Sequence, residues 1–374
     1  MKAEKIKVLI VNNPLSYGGS DIVSIRLQQN LDKEKFECTY CLFHGESSGE
    51  LESEVAKSGV RIIHMPEVDN IRKECYGYFD SLFKKEKFDV VHCHLPFVSA
   101  FIFKAAKKNG INKRVVHSHF SQPVYNTDSK IRMILQDVYH VVMRRMINRY
   151  STDIIGCTRE AGIYVAGKRG FKKKGIVLNN GIDTSVYEYN EETRNRKRKE
   201  LGVDSQIVLG HVGRIYYIKN QLFLIDVFFE FQKTHPNSVL LIVGEGPDRE
   251  QCEKKVANFG IENKVKFLGF RDDVPELLMA MDCMVFPSLH EGLPLTLIEA
   301  QATKLPCVVS NSVNEIVKVN NNVNLLALDE PVGLWCNNIE ELVANERAVV
   351  DNKKLVDNYD IMAVSKKLEK IYLD

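Results

Sequence analysis

Hydrophobic and polar positions alternate along the chain in short and long segments. Apolar runs of strand length recur at KIKVLIV, FECTYCLF, VRIIHM, DVVHCHL and RVVHSH. Between them lie longer segments with apolar residues at helical spacing, such as DIVSIRLQQNL and NIRKECYGYFDSLFKKEK. Strands that alternate with helices indicate a parallel sheet covered on both faces.

This alternation breaks once and then restarts. After IVLNNGID comes YEYNEETRNRKRKELG, a charged stretch that predicts a solvated linker and a first surface helix. IVLGHVG, SVLLIVG, VKFLG, CMVFPS and PCVVSN then repeat the strand pattern. We therefore predict an α/β protein of two Rossmann-like, doubly wound domains that face each other across a cleft, at residues 1–185 and 186–356. A helix at about 357–374 is predicted to pack back on the first domain.

Length and composition agree with this prediction and exclude some classes of protein. The 374 residues suffice for two domains of roughly 150 residues each. A net charge of +2 gives no global sign of a nucleic-acid-binding protein. The apolar run near the amino terminus turns polar after Val11, too early for a signal peptide, and no apolar stretch approaches the roughly 20 residues that span a bilayer. We therefore expect a cytoplasmic protein.

The cysteines point to a structural role. Among the nine, only Cys38 and Cys41 form a Cys-x-x-Cys pair, which could bind a metal or act in redox chemistry. They lie in the apolar run FECTYCLF, which predicts a buried strand, and no second pair completes a zinc site. We therefore interpret them as buried, reduced side chains.

Ligands of open α/β sheets bind at the carboxyl ends of the strands, so we expect the functional residues in the loops that follow the strands. The loop NNPLSYGGSD places Gly18 and Gly19 just before a helix, where backbone amides can approach an anion or a sugar. It lacks the Gly-x-Gly-x-x-Gly pattern of dinucleotide-binding proteins. The nearest approach to that pattern, VGEGPDRE, has Arg249 at the third glycine position, which argues against a nicotinamide cofactor.

Two later strands each end in a pair of histidines. VVHCHLPF and VVHSHFS both carry His-x-His, and we expect one ring of each pair to point to the ligand while the other packs away. A single histidine at a strand end is usually structural, but two such pairs on adjacent strand ends favour a ligand site. His117 is the favoured contact, and His94 is a second candidate for contact with a sugar or an acceptor.

The segment HVGRIYYIKNQ opens the second domain and carries two cations. Arg214 and Lys219 flank the start of a predicted helix. An arginine offers paired donors, a lysine offers a mobile charge, and a helix amino terminus adds partial positive charge, which together suit a diphosphate. The alternative is that both side chains simply face the solvent.

Two carboxylates frame a predicted helix in HEGLPLTLIEAQ. With Pro294 at the first helical position, Glu291 and Glu299 should lie on the order of 10 Å apart. Glycosidase carboxylates lie about 5 to 9.5 Å apart across one bond, so this spacing favours a grip on the two ends of an extended ligand. The amides at the helix start would meet phosphates between them; these belong to Gly292, Leu293 and Leu295.

Taken together, several segments resemble the retaining, GT-B-fold glycosyltransferases of family 4, and among them the bacterial exopolysaccharide and capsule enzymes. The segments are EGLPLTLIE with its Glu-x7-Glu motif, VGRIYYIKNQ, VLNNGID, LLIVGEGP, VKFLGFRDDV, VFPSLHEG and the Gly-Gly of the first loop. The resemblance covers nearly the whole chain. It implies transfer of a sugar from a UDP- or GDP-linked donor to a hydroxyl of a glycan or lipid-linked acceptor.

The resemblance also implies roles for single residues. Arg214 and Lys219 would hold the donor diphosphate, and Glu299 would bind the ribose hydroxyls. Glu291 would contact the transferred sugar, with His117 beside it. Arg214, Lys219, Glu291 and His117 are thus the expected catalytic residues.

Further implications concern the first loop and the mechanism. Gly18 and Gly19 would shape the loop that receives the phosphates. Lys304 stands where the family usually has glycine, and Asn179 stands where the family often has proline before Asn-Gly. Both differences bear on the details of donor binding. Retaining transfer in this family is generally thought to need no protein nucleophile, because the acceptor hydroxyl attacks from the face that the diphosphate leaves. An oxygen of the leaving diphosphate would then accept the acceptor's proton.

No cofactor and no metal are expected. The chain contains no Asp-x-Asp, the pair through which many enzymes of this kind hold Mg²⁺ or Mn²⁺. Asp272 and Asp273 are adjacent and look like a helix cap. The alternatives are an epimerase or hydrolase on the same scaffold, an oxidoreductase, and a non-catalytic protein that binds nucleotide sugars.

Two basic runs raise the question of a membrane. AGKRGFKKKG and FKAAKKNGINKR carry many cations and no acid on the first domain. A charge run is often only a solvated face. The other interpretation is that the first domain rests on the anionic inner face of the membrane, where a lipid-linked acceptor would lie.

Overall fold

The chain forms two compact units. A computed structural model describes residues 4–43, 49–67, 71–121, 129–291, 293–344, 347 and 350–374. The first unit, here called the N unit, comprises Met1–Gly181 and Ile361–Asp374, and the second, the C unit, comprises Ile182–Asp360. The predicted boundaries at 185/186 and 356/357 each differ from these by four residues.

The N unit is built on a seven-stranded parallel sheet. Its strands are β1 Ile6–Asn12, β2 Phe36–Leu42, β3 Arg61–His64, β4 Val90–Cys93, β5 Lys113–Ser118, β6 Asp153–Gly156 and β7 Gly175–Val177. Their order in the sheet is β3-β2-β1-β4-β5-β6-β7. The helices between them are α1 Gly19–Gln29, α2 Glu52–Lys57, α3 Ile71–Lys85, α4 Ser99–Lys108, α5 Lys130–Tyr150 and α6 Arg159–Lys174.

A six-stranded parallel sheet forms the C unit. Its strands are β8 Ile207–Val212, β9 Ser238–Val243, β10 Val265–Gly269, β11 Cys283–Phe286, β12 Cys307–Ser310 and β13 Val323–Leu326, in the order β10-β9-β8-β11-β12-β13. Its helices are α7 Glu191–Leu201, α8 Gln221–Thr234, α9 Arg249–Asn258, α10 Val274–Ala280, α11 Leu295–Ala302, α12 Val332–Val343 and α13 Lys353–Tyr359. The prediction of two parallel-sheet, Rossmann-like α/β domains is confirmed.

The last helix, α14 Ile361–Leu373, belongs to the N unit although it follows the whole C unit in the chain. Its buried residues include Val364, Leu368 and Tyr372. The Tyr372 ring packs edge-on against Phe36 of β2 at 5.8 Å between ring centroids. An amide of the first unit, that of Asp32, donates to Glu369 Oε1 at 2.7 Å.

The charged stretch before β8 differs from the expected solvated helix. Lys197 of α7 has a side chain only 5% exposed, and its Nζ lies 2.8 Å from Asp273 Oδ2. Arg198 is also buried and pairs with Asp282 at 3.1 Å. These ion pairs join α7 to distant segments of the C unit, because burying a charge is costly unless an opposite charge or hydrogen bonds compensate it.

The Cys-x-x-Cys pair lies on β2, as the apolar run predicts. Residues three apart in a strand point to opposite faces, so Cys38 and Cys41 cannot ligate one metal together. Burial raises the pKa of both thiols to about 12. All nine cysteines are free, and none of the described helices is both long and apolar enough to cross a membrane.

Candidate active site

Two glycine-bearing loops meet where β8 and β9 end. The Gly213 amide donates to Val243 O at 3.0 Å, and the Ile215 amide donates to Glu245 O at 2.9 Å. A Cβ at Gly244 would collide with the carbonyl of Gly213, and one at Gly246 with that of Ile215. The glycines of VGEGP therefore let the two backbones touch, and this contact supports the loop that carries Arg214.

Behind that loop lies a buried polar pair, His211 and Gln221. His211 Nδ1 lies 3.0 Å from Val285 O. A carbonyl only accepts, so Nδ1 carries the ring proton and Nε2 accepts from Gln221 Nε2 at 3.2 Å. Gln221 also donates to Arg214 O at 3.0 Å. Burial lowers the His211 pKa to about 4, so the ring is neutral and fixed.

The cation Lys219 and the carboxylate Glu291 form an ion pair. Lys219 Nζ lies 2.5 Å from Glu291 Oε1, and the two side chains are only 20% and 18% exposed. Lys219 Nζ also lies 4.9 Å from the centre of the Phe286 ring. The structure thus brings together two residues that the sequence predicted for neighbouring parts of one ligand.

Backbone contacts fix the position of this pair. Lys219 ends a 3₁₀ turn, Tyr217–Lys219, and Asn220 takes a left-handed conformation with φ 56° before α8. Asn220 Nδ2 donates to Pro287 O at 3.2 Å, and the Leu289 amide donates to Ile218 O at 2.7 Å. The loops after β8 and β11 are thereby joined.

Helix α11 carries the second predicted carboxylate. Glu299 is 8% exposed. Pro294 is the cap residue and the helix begins at Leu295. The expectation that Pro294 occupies the first helical position is therefore wrong by one residue. Leu293 is buried and Leu295 half-buried within the core, so a ligand would meet their backbone amides rather than their side chains. Gly292 lies outside the described residues.

Sequence reasoning missed one polar side chain in this region. Ser288 follows β11 and is completely buried. Its hydroxyl has no hydrogen-bond partner within the part of the chain that the structure describes. A buried hydroxyl of this kind gains from a ligand that supplies the partner. The signal was present in VFPSLHEG, where a serine follows a buried strand.

Four histidines cluster at the carboxyl ends of β4 and β5. The rings of His92 and His94 stack at 4.4 Å between centroids, and those of His117 and His119 lie 4.3 Å apart. The expectation that each pair would point in opposite directions is wrong, because residues two apart in a strand share a face. His117 and His94 are therefore neighbours, with ring centroids 5.0 Å apart.

Burial makes these rings neutral. It lowers the pKa of His92 to about 3 and of His119 to about 4, and holds those of His94 and His117 well below the ordinary value. His92 Nδ1 bonds to the Tyr372 hydroxyl at 2.5 Å, and His94 Nδ1 shares a hydrogen bond with His119 Nε2 at 2.9 Å.

His117 stands out within the cluster. It is completely buried, and neither ring nitrogen has a hydrogen-bond partner among the described residues. Neutral imidazoles can bind sugar hydroxyls or a transition metal. His92, His94 and His117 each offer a nitrogen within 4.8 Å of the others, so among the described residues these three could hold a metal ion together. The prediction that catalysis needs no metal stays a prediction.

The glycine loop after β1 contains a carboxylate. Gly18 caps α1, which begins at Gly19. Asp21 Oδ2 accepts from the Ser16 hydroxyl at 2.8 Å and lies 3.3 Å from where a Cβ on Gly18 would stand. Burial raises the Asp21 pKa. Space is open beside Gly19, but the nearby carboxylate favours an uncharged part of a ligand over a phosphate at Gly18.

Comparison with known proteins connects both units to sugar transfer. The family model described as Glycosyltransferase Family 4 matches residues 17–186, and the model described as Glycosyl transferases group 1 matches residues 193–347. The capsular polysaccharide biosynthesis glycosyltransferase CapH of Staphylococcus aureus is 28% identical over 98% of this chain and 99% of its own.

A second relative and a solved structure extend this similarity. The UDP-Gal:alpha-D-GlcNAc-diphosphoundecaprenol alpha-1,3-galactosyltransferase of Escherichia coli is 28% identical over 78% of this chain and 77% of its own. The crystal structure of HepE from Anabaena in complex with UDP has a TM-score of 0.78 at 18% identity and covers 98% of this chain and 99% of its own. The protein is therefore a GT-B glycosyltransferase, family 4-like in its first half and of group 1 in its second.

Proposed function

We propose that the protein is a retaining glycosyltransferase that uses a nucleoside diphosphate sugar and glycosylates a hydroxyl of a glycan or lipid-linked acceptor in capsule or exopolysaccharide assembly. The observation that carries the proposal is the Lys219–Glu291 pair, a cation and a carboxylate 2.5 Å apart beside the start of α11. The relatives support the substrate classes, because one takes part in capsule biosynthesis and another uses a UDP-linked donor. UDP is thus favoured over GDP.

In the proposed reaction, the bond between the sugar C1 and the diphosphate oxygen breaks while a new bond forms from C1 to the acceptor oxygen. The proton of the acceptor hydroxyl passes to an oxygen of the departing diphosphate. Arg214 and Lys219 stabilise the charge that develops there, and Glu299 binds the ribose. Glu291 orients the transferred sugar, and His117 is a proposed contact of that sugar.

The ion pair has a consequence for the order of events. Glu291 and Lys219 neutralise each other in the ion pair. A diphosphate competes for the lysine, and the carboxylate is then released to accept hydrogen bonds from sugar hydroxyls. On donor binding, Lys219 would thus exchange Glu291 for the diphosphate, and Glu291 would exchange Lys219 for the sugar hydroxyls. Recognition of the diphosphate is thereby linked to recognition of the sugar.

The proposed function is tested by a screen followed by product analysis. UDP- and GDP-linked sugars should be compared for thermal stabilisation of the protein, because a ligand that binds the folded state raises stability. The best donor is then incubated with a water-soluble acceptor glycoside. Formation of an α-linked product from an α-linked donor is the expected result. Free sugar or an epimer formed without acceptor would instead support the epimerase or hydrolase alternative, which the comparisons do not favour.

Chelation provides a separate prediction about metals. We expect EDTA to leave the transfer rate nearly unchanged, because Arg214, Lys219 and the partial charge at the α11 amino terminus can neutralise the diphosphate. The rate should be measured with and without EDTA, and again after addition of Mn²⁺. Loss of activity on chelation and its return with Mn²⁺ would show that a metal ion takes the part assigned to these cations. The histidine cluster would then be the candidate metal site.

A further inference from the structure

Helix α5 has an apolar side that faces away from its own unit. Ile131, Ile134, Leu135 and Val138 are 72%, 62%, 62% and 56% exposed, and Val141 and Val142 are each 44% exposed. At about 100° per residue these six side chains fall within one stripe, roughly 120° wide and about 16 Å long. We call this the α5 stripe.

The opposite side of the same helix makes the contacts with the core. His140, Met143 and Ile147 of α5 are buried, and the His140 ring stacks on Phe97 at 4.1 Å between centroids. These residues lie about half a turn of the helix away from the α5 stripe. A surface helix normally presents polar residues on its outer side, so α5 is apolar where it should be solvated.

The α5 stripe continues into positive charge. Arg145 and Arg149 are exposed and follow Val138 and Val142 at helical spacing, on the same side. Helix α5 contains five cations, Lys130, Arg132, Arg144, Arg145 and Arg149, against one acid, Asp137. Its outer side is therefore apolar in the first half and basic in the second.

Both basic runs of the sequence meet this basic end. Lys174, from the run AGKRGFKKKG, donates to Asn148 O at 2.7 Å and to Ser151 O at 2.6 Å, where α5 ends. Lys107, from the run FKAAKKNGINKR, lies over the Tyr150 ring at 6.0 Å, and Arg149 lies 5.7 Å from the same ring. Segments far apart in sequence thus combine into one cationic region.

We propose that the α5 stripe lies in the surface of an anionic lipid bilayer, with the cationic region on its phosphate headgroups. A helix that lies in the membrane interface has an apolar side and a basic flank, and α5 combines these two features. A second copy of the chain fits less well, because symmetric pairing through the outer sides would bring arginines together or lay them on the partner's apolar half. The inference rests on the proposed function for its biological sense, since a lipid-linked acceptor would lie in the same surface.

Vesicle flotation of the full chain tests this proposal. Phosphatidylcholine vesicles should be compared with vesicles that contain phosphatidylglycerol as well. The wild-type protein should float with the anionic vesicles. Ile134→Glu/Leu135→Glu should lower the partition constant by roughly tenfold or more, because two apolar side chains no longer enter the bilayer. Arg145→Glu/Arg149→Glu should abolish the preference for anionic vesicles.

The matched control is Met362→Glu/Leu373→Glu. Both residues lie on α14 of the same unit and are 51% and 58% exposed, so the control also adds two acids at similarly exposed apolar positions. It should float like the wild type. Flotation of Ile134→Glu/Leu135→Glu at the wild-type level would overturn the proposal, as would equal binding of the wild type to neutral and anionic vesicles.

Analytical sedimentation tests whether a second copy of the chain covers the α5 stripe instead of a membrane. A wild-type dimer that dissociates in Ile134→Glu/Leu135→Glu, without flotation of either, would assign the α5 stripe to a second copy and overturn the proposal. Flotation needs no donor, while transfer to a water-soluble acceptor needs no membrane. Failure of the membrane proposal and failure of the proposed activity are therefore seen in different experiments.

Discussion

Lys219→Ala is expected to lower turnover by about 10²–10³-fold, because it removes a preorganised positive charge from the leaving diphosphate. The substitution also leaves Glu291, 18% exposed, without the cation that lies 2.5 Å from it. An unpaired carboxylate repels the diphosphate, so the affinity for UDP should fall as well. Steady-state rates and calorimetric titration with UDP measure the two effects separately.

The double variant Lys219→Ala/Glu291→Ala sharpens this test. If the unpaired carboxylate contributes to the loss, removing it should restore part of the UDP affinity but not the turnover. Lys254→Ala is the control, since this lysine is 70% exposed on α9 and pairs with Glu250 one turn away. Wild-type turnover in Lys219→Ala would show that other groups stabilise the diphosphate.

Glu291→Ala and Glu299→Ala are expected to affect different measurements. Loss of the Glu291 hydrogen bonds to the sugar should lower turnover by roughly 10- to 100-fold. UDP should bind as before or more tightly, because Lys219 is freed. Glu299→Ala should instead weaken UDP binding by about 1–3 kcal/mol, since the ribose hydroxyls lose a buried acceptor.

Titration with UDP and measurement of the transfer rate for both variants decide between these outcomes. Glu250→Ala, at a side chain 78% exposed, controls for the loss of one negative charge. Equal loss of UDP affinity in Glu291→Ala and Glu299→Ala would show that the two carboxylates do not grip opposite ends of the donor.

The fold was predictable because its main determinant is local. Each strand is a short apolar run and each helix a longer amphipathic one, and a parallel sheet follows from their alternation. The burial of Lys197 and Arg198 was not predictable in this way, since the acids that neutralise them, Asp273 and Asp282, lie on distant segments. A run of charged residues is therefore predicted to be solvated unless the structure shows acidic partners for it.

The contacts of the candidate site also depend on segments that are distant in sequence. The motifs singled out Lys219 and Glu291 separately, but their ion pair depends on the joining of the loops after β8 and β11. The histidines are a different case, because the sequence already implied that the two rings of each pair share a face, as residues two apart on a strand do. Only the register of the structure, in which His92 pairs with Val115, places His92 and His117 on one side.

The return of α14 to the N unit bears on the order in which the protein folds during synthesis. Tyr372, which holds His92 through its hydroxyl, is translated after the whole C unit. The C unit is closed without α14, because its two ends meet where the Ile182 amide donates to Tyr359 O at 2.8 Å. The N unit cannot gain the contacts of Tyr372 with Phe36 and His92 before α14 has been made. We therefore expect a chain truncated before α14 to leave His92 without the Tyr372 hydroxyl and Phe36 without the Tyr372 ring.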